Sequence, residues 1–328
     1  NKILLKGSAG NGFLNSTKVS KLDFFYKRGK NKFSTLFFYI LSQISLFLLL
    51  IKVSGLSRNN LIYINTLLPF GAAFYGFITK NRIVYHLHEI SLSPRIFLNF
   101  LRFVCKKTSS LNIYVSETHH EIFNISNVKS IILYNSLEKD FLKRASNFQY
   151  EPLIDGNMNI LMISSPRDYK GIPELFNIAN KTKEIENIKY HLLVNGSYSD
   201  IEVYKDRFGE LDNLIIYPKT DETFKFFEKA SLLINLSRVD MWIETFGMTI
   251  LEAMAYGIPV IAPPIGGPKE LIRDGREGRL IDSRNIDELI ETILNMHDNH
   301  KMMKDFSVSA RLRSKEFNDP DLSFLNEI

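Results

Sequence analysis

Short apolar runs alternate along the chain with stretches of helical spacing. Residues 61–65 have strand-like patterning, 71–78 read as helix, 83–88 as strand and 94–105 as helix. Residues 112–116 and 130–134 add two more buried strands, after which polar residues 138–157 read as a connection between domains. A second series then begins, with apolar strands at 159–164, 190–195, 214–217, 231–236 and 259–262 separated by helix-length segments. Parallel strands need such crossovers, so the pattern predicts an α/β fold of two doubly wound domains, residues 1–150 and 151–328. No short-period repeat interrupts it. In such sheets ligands bind beyond the carboxyl ends of strands, which directs attention to the polar and glycine residues there.

One run departs from the alternation. Residues 33–51 carry no charge and are long enough to cross a bilayer as a helix, with Lys27, Arg28, Lys30 and Lys32 before them and Lys52 after. Ser42, Gln43 and Ser45 break the run, and strands follow at once, so two readings stand: a buried domain helix, or a helix resting on an anionic membrane surface.

Composition narrows the class. A chain of 328 residues exceeds one ordinary core, and 45% hydrophobic with 23% charged residues excludes global disorder. The single cysteine, Cys105, excludes an internal disulfide and a Cys-rich zinc site, so a cytoplasmic location is expected. A net charge of +5 suits a nucleic acid, an anionic membrane or a phosphorylated substrate, and no run has the form of a nucleic-acid motif. The chain begins with Asn1 and shows no signal peptide, as expected of a trimmed sequence.

The opening GSAGNG, with Gly7, Gly10 and Gly12, has the outline of a dinucleotide loop, and Asp23 would be its acid. Only residues 13–17 separate it from the next strand-like stretch, too few for a crossover helix, so an ordinary turn is expected. The strongest constellation is ETFGMTILEAMAYG. There the strand at 231–236 leads through Glu244, Phe246 and Gly247 into a helix ending near Tyr256. Unpaired amides at that helix start attract a diphosphate, and Gly247 lets it approach the backbone. Glu252 follows near the sheet edge, where a carboxylate needs donors such as ribose hydroxyls. The plainer alternative is a capping Glu244 and a solvated Glu252. In GIPVIAPPIGGPKELI, Gly266 and Gly267 followed by Pro268 form either a second anion-binding helix start or a tight turn. His86 and His88 share one strand face beside Glu89, while His119, His120 and Glu121 read as surface helix.

ETFGMTILEAMAYGIPVIAPPIGGPKELI resembles the signature of glycosyltransferase family 4, including its Glu-x7-Glu pair, here Glu244 and Glu252. NILMISSPRDYKGI resembles the family's strand and basic Lys-Gly loop, and LLVNGS, with Gly196, its glycine turn. INTLLPFGA, YHLHEI, YVSE and IILYNS resemble segments of members that build bacterial surface polysaccharides. The resemblance implies GT-B architecture, two Rossmann-like domains facing a central cleft, with the first lacking part of its opening strand and loop and the last helix packing back on the first domain. It implies retention of anomeric configuration through same-face attack, with no metal and no cofactor beyond the nucleotide-sugar donor.

Residue by residue, the resemblance implies that Glu252 holds the ribose, Glu244 contacts the donor sugar, the backbone of Phe246, Gly247 and Met248 meets diphosphate and sugar, and Lys170 neutralises phosphate. The family places an arginine about six residues before this lysine. Ser164 and Ser165 stand there, and Arg167 is expected to substitute. Gly266 and Gly267 join the donor side. His88 is implied near donor sugar and acceptor, with Glu89 orienting His88 or the acceptor. The implied acceptor is a saccharide or lipid-linked saccharide at the inner face of the cell membrane, with the region 27–52 in peripheral contact and no nucleic acid involved. A nucleotide-sugar epimerase of the same fold and a non-catalytic sugar-nucleotide-binding subunit are the alternatives, separated by turnover.

Overall fold

A computed structural model describes residues 3–7, 20–58, 60–90 and 92–318. Contacts divide them into two units: the described residues up to Val115 with Ile122–Ile132, and Ser116–Glu121 with the chain from Leu133 onward.

In the first unit β1 (Ile3–Gly7) and β2 (Ser20–Phe24) pair in parallel, and α1 (Lys32–Ser54) follows. Then come β3 (Leu61–Asn65), α2 (Phe70–Thr79), β4 (Arg82–Leu87), α3 (Arg95–Thr108), β5 (Leu111–Tyr114) and, after α4 (Glu117–Phe123), whose residues up to Glu121 belong to the second unit, β6 (Ser130–Ile132). β3 to β6 form a parallel sheet in sequence order, as short strands joined by helical crossovers allow. Ile62 and Ile64 alternate inward along β3 and pack with Tyr85 and Leu87 against Leu46 of α1, Tyr75 of α2 and Leu101 of α3. Of the GSAGNG loop, Gly7 ends β1, while Gly10 and Gly12 lie outside the described residues.

α1 answers the question left by its uncharged run. Asn31 and Ser34 close a capping box at its start, and it buries only a stripe that includes Ser42, Gln43, Leu46 and Leu50. Phe33, Phe37, Ile44 and Leu48 remain exposed. One face of α1 packs on the core through Leu46 and Leu50, and the opposite face is exposed.

The second unit holds α5 (Lys139–Asn147), β7 (Met158–Ser164), α6 (Ile172–Lys181), β8 (Ile188–Val194), α7 (Tyr198–Phe208), β9 (Leu214–Tyr217), α8 (Phe224–Phe227) and β10 (Leu232–Ile234). α9 (Met248–Ala255), β11 (Val260–Ala262), α10 (Gly267–Leu271), β12 (Gly278–Leu280), α11 (Ile286–Asp298) and α12 (His300–Lys315) complete it. The parallel sheet runs β12-β11-β10-β7-β8-β9. The chain therefore winds outward from β7 in one direction through β8 and β9, and in the other from β10 through β11 and β12. The switch point lies between β7 and β10, where loops leaving adjacent strands diverge and open a crevice.

Two expectations need correction. Residues within the polar stretch 138–157 form α5, because Phe141 and Ala145 give it one apolar face, and Phe141 packs edge-on to Phe227 and Tyr256 with centroids 5.9 and 5.4 Å away. His119, expected on a surface helix, is fully buried, while Glu121 on the same helix is exposed. The start of α4 is drawn in because the Glu270 carboxylate accepts the Glu117 and Thr118 amides at 2.9 and 2.8 Å, and the Ser116 hydroxyl donates to the Thr245 carbonyl at 2.6 Å.

Candidate active site

Two loops meet at the switch point. The first leaves β7 through Ser164, Ser165 and Arg167, makes a 3-10 turn over Asp168–Lys170 and enters α6 at Gly171. Gly171 has φ +87°, and a Cβ there would lie 2.1 Å from the Leu236 carbonyl oxygen. Only glycine lets the basic loop pass this close to the chain leaving β10. The second loop is tied to it where the Arg238 amide donates to the Tyr169 carbonyl at 2.9 Å.

This approach brings together charges far apart in sequence. The Lys170 ammonium forms an ion pair with the Glu244 carboxylate, both side chains being less than a fifth exposed. The Ser237 hydroxyl and the Trp242 indole N–H also donate to Glu244, at 3.3 and 3.4 Å. The Lys170 ammonium lies 4.8 Å from the Trp242 ring centre, and that ring stacks on Tyr169 at 5.1 Å. One cation and one carboxylate are thus held together on an aromatic floor.

Beyond Glu244 the chain turns into α9 at Gly247, and no side chain caps this helix start. Its first-turn amides and the positive end of its dipole are open to an anion. One turn on, Glu252 is half-buried and its carboxylate accepts no hydrogen bond among the described residues, and desolvation pushes its carboxyl up to about 7. Phe246 turns its ring into the interior beside Tyr134 and Phe317, so only its backbone faces the loop.

The glycine pair has a packing task. A Cβ on Gly267 would lie 2.3 Å from Phe246 Cα, and the Gly267 amide donates to the Glu244 carbonyl at 2.9 Å. The pair thereby seats the start of α10 against the Glu244–Gly247 backbone. Gly196, after β8, packs against the same basic loop, since a Cβ there would lie 3.1 Å from Pro166.

The other expected residues separate. The Ser164 hydroxyl is turned to the Ser165 carbonyl at 2.9 Å, and Arg167 is exposed with no ion pair among the described residues. In the first unit, His88 Nε2 lies 2.7 Å from Asn65 Oδ1, and burial lowers the imidazole pKa. Glu89 accepts the Leu67 and His88 amides at 3.1 and 3.2 Å and bonds the Thr66 hydroxyl, fastening the turn after β3 to the exit of β4. Burial raises its pKa, against the lowering effect of those amides.

Sequence reasoning passed over Tyr169, Ser237, Arg238 and Trp242. Arg238 donates to the largely buried Glu174 at 2.8 Å and to Asp240, bracing the second loop against α6. Trp242 is the chain's one tryptophan and stands two residues before Glu244, a signal that was available.

The family model for glycosyl transferases, group 1, matches residues 144–313. An uncharacterized 41.2 kDa protein of the Klebsiella pneumoniae cps region is 24% identical over 86% of this chain and 82% of its own. An uncharacterized glycosyltransferase of Methanocaldococcus jannaschii is 27% identical over 69% of this chain and 60% of its own. The poly(ribitol-phosphate) alpha-N-acetylglucosaminyltransferase of Staphylococcus aureus is 25% identical over 72% of this chain, which spans 46% of that protein. Among solved structures, Anabaena HepE in complex with UDP and glucose superimposes with a TM-score of 0.75 at 17% identity, covering 97% of this chain and 95% of that one. That likeness is one of fold, and both units have the parallel-sheet α/β form of the GT-B architecture.

Proposed function

The chain belongs to the glycosyl transferases group 1 family, and from that premise we propose that it moves a sugar from a nucleoside diphosphate sugar to a saccharide or lipid-linked saccharide in surface-polymer synthesis, with retention at the anomeric carbon. The carrying observation is Glu252, a desolvated carboxylate without a donor among the described residues, one turn beyond a helix start that no described side chain caps. Ribose hydroxyls supply the donors and a diphosphate the anion. The UDP in the HepE structure and the polymer-building role in the staphylococcal relative's name support this choice of ligand and acceptor class.

In this reading Lys170, the amides of Gly247 and Met248, and Arg167 meet the diphosphate. Gly266 and Gly267 keep the backbone of residues 244–247 in place. As the bond between anomeric carbon and phosphate oxygen breaks, negative charge grows on the leaving group, and fixed positive groups lower the barrier by being already oriented. Glu244 turns to the sugar hydroxyls, and Lys170, its partner in the free protein, to the phosphate. The acceptor hydroxyl attacks on the face the diphosphate leaves, and the phosphate oxygen takes its proton. His88 positions sugar or acceptor, and Glu89 holds the His88 backbone. No metal enters the scheme, and the reaction belongs to the cytoplasmic side.

A thermal-shift screen of nucleotide sugars followed by turnover tests the proposal. The expected result is a nucleoside diphosphate released only when an acceptor is present, with the donor's anomeric configuration retained in the product by NMR. Donor converted to an epimer without acceptor, or bound and never cleaved with any saccharide acceptor, would overturn it.

A further inference from the structure

Trp242 stands in the candidate site without a part in the scheme above. Neither it nor its stacking partner Tyr169 belongs to the core of the second unit: both are half-buried, whereas Tyr190, Phe227 and Tyr256 of the same unit are fully buried. Arg238 fixes where the two rings meet. Its amide donates to the Tyr169 carbonyl at 2.9 Å and its carbonyl accepts the Trp242 amide at 2.8 Å, so one residue ties the 3-10 turn after β7 to the turn after β10. Its guanidinium is anchored in turn on Glu174 at 2.8 Å. The rings stack with centres 5.1 Å apart and planes 23° from parallel.

The indole touches both charges of the site. Its N–H donates to Glu244 Oε2 at 3.4 Å, while the Lys170 ammonium and the Ser237 hydroxyl both donate to Oε1. Among the described residues it is therefore the one side chain that holds the second carboxylate oxygen. An indole nitrogen only donates, so this edge of the ring suits an anion. The face of the ring suits a cation, because its quadrupole is negative there, and the Lys170 ammonium lies over it 4.8 Å from the centre. One side chain thus offers a donor to the carboxylate and a π-face to the ammonium, and phenylalanine would offer only the second.

We infer that Trp242 is a positioning residue for sugar transfer, which keeps Glu244 and Lys170 in place while they exchange partners. This assignment rests on the roles proposed above for those two residues. In the free protein each charge neutralises the other. When a nucleoside diphosphate sugar enters, Glu244 Oε1 leaves Lys170 for a sugar hydroxyl, and Lys170 turns to the diphosphate. Oε2 stays on the indole N–H, so the carboxylate pivots instead of swinging free. The ammonium loses its carboxylate but keeps the ring, which holds it beside the phosphate as negative charge grows there. Groups already oriented in this way need no reorganisation during the reaction. A free nucleoside diphosphate lacks the sugar that draws Glu244 away, and its affinity depends far less on the indole.

Trp242 is the chain's one tryptophan, so protein fluorescence excited at the indole reports this contact alone. In ligand-free protein, Glu244→Ala and Lys170→Met are each expected to change that emission. Turnover is then measured with the nucleotide sugar selected by thermal shift, and affinity by calorimetry with its free nucleoside diphosphate, UDP being the first tried. Trp242→Phe keeps a ring and loses the N–H, and should lower kcat about 10-fold, the size of one hydrogen bond to a charged group. Trp242→Leu loses the cation–π contact as well and should lower kcat about 2- to 30-fold further. The Kd for the free nucleoside diphosphate should change less than about threefold in both variants. A side chain that merely packs the two loops would move Kd and kcat together, and that result overturns the assignment. So does full turnover by Trp242→Phe, or emission that neither Glu244→Ala nor Lys170→Met alters. A parent protein that binds no nucleotide sugar removes the transfer reading and this assignment with it, whereas a parent that turns the donor over no faster than Trp242→Phe removes this assignment alone.

Discussion

Glu252→Gln is expected to make the empty protein more stable and nucleotide binding weaker, and the two effects have one physical origin. Desolvation raises the Glu252 carboxyl from 4.5 to about 7. At about 1.4 kcal/mol per pKa unit this corresponds to a penalty of about 3 kcal/mol on the folded state once the group is ionised, reduced to about 1–3 kcal/mol because the side chain keeps some solvent contact. The sign follows from proton counts. Between pH 4.5 and about 7 the folded state holds a proton that the unfolded chain has lost, so the carboxyl subtracts stability as pH rises through this window and by a constant amount above it. Glutamine carries no such charge. Its melting temperature should exceed the parent's by about 2–12 °C at pH 8, taking roughly 2–4 °C per kcal/mol for a domain of this size, and by little at pH 5. With nucleotide present the order reverses. Hydrogen bonds from ribose hydroxyls to a carboxylate contribute about 1.5–3 kcal/mol, so the Kd for UDP, used as first probe, should rise about 10- to 150-fold in the variant. Binding to the parent near pH 6.5 should also release protons, seen as a calorimetric heat that depends on the buffer. A variant destabilised at pH 8, with unchanged UDP affinity, would refute the account of Glu252 as a carboxylate awaiting donors.

Glu244→Ala is expected to lower turnover far more than affinity for free nucleoside diphosphate, because that ligand carries no sugar, and equal calorimetric loss in Glu244→Ala and Glu252→Ala would remove the distinction between their roles. Chelators should leave turnover intact, since Lys170 and the α9 start supply the positive charge; activity lost in chelator and restored by magnesium or manganese would show that an ion is needed. Gly171→Ala combines a left-handed backbone with a Cβ 2.1 Å from the Leu236 carbonyl oxygen, so urea unfolding should show a loss of at least about 1–3 kcal/mol, and a variant as stable as the parent would mean the two loops are not pinned there.

Local periodicity carried much of the architecture. The apolar runs of β3, β4, β7 and β8 and the helical spacing of α2 and α3 appear in the sequence because side-chain direction repeats every two residues in a strand and every 3.6 in a helix. The residues from Glu244 to Gly267 were legible for the same reason, as strand exits, glycines and helix starts lie next to one another along the chain. Pairings across the chain were not legible. Nothing near Met158 states that β7 lies beside β10, yet this adjacency creates the switch point and puts Lys170 on Glu244, 74 residues away. Polarity alone suggested a connection where α5 forms, because the contribution of Phe141 depends on Phe227 and Tyr256, which arrive much later in sequence. The burial of His119 likewise depends on distant residues, among them Glu270 at the start of its helix. α1 shows the division most plainly. The sequence announced a long apolar helix with basic ends, while the choice of Ser42 and Gln43 as part of its inner stripe came from packing against α2, where hydrogen-bonding groups had to be satisfied and Phe33 and Phe37 were left outside.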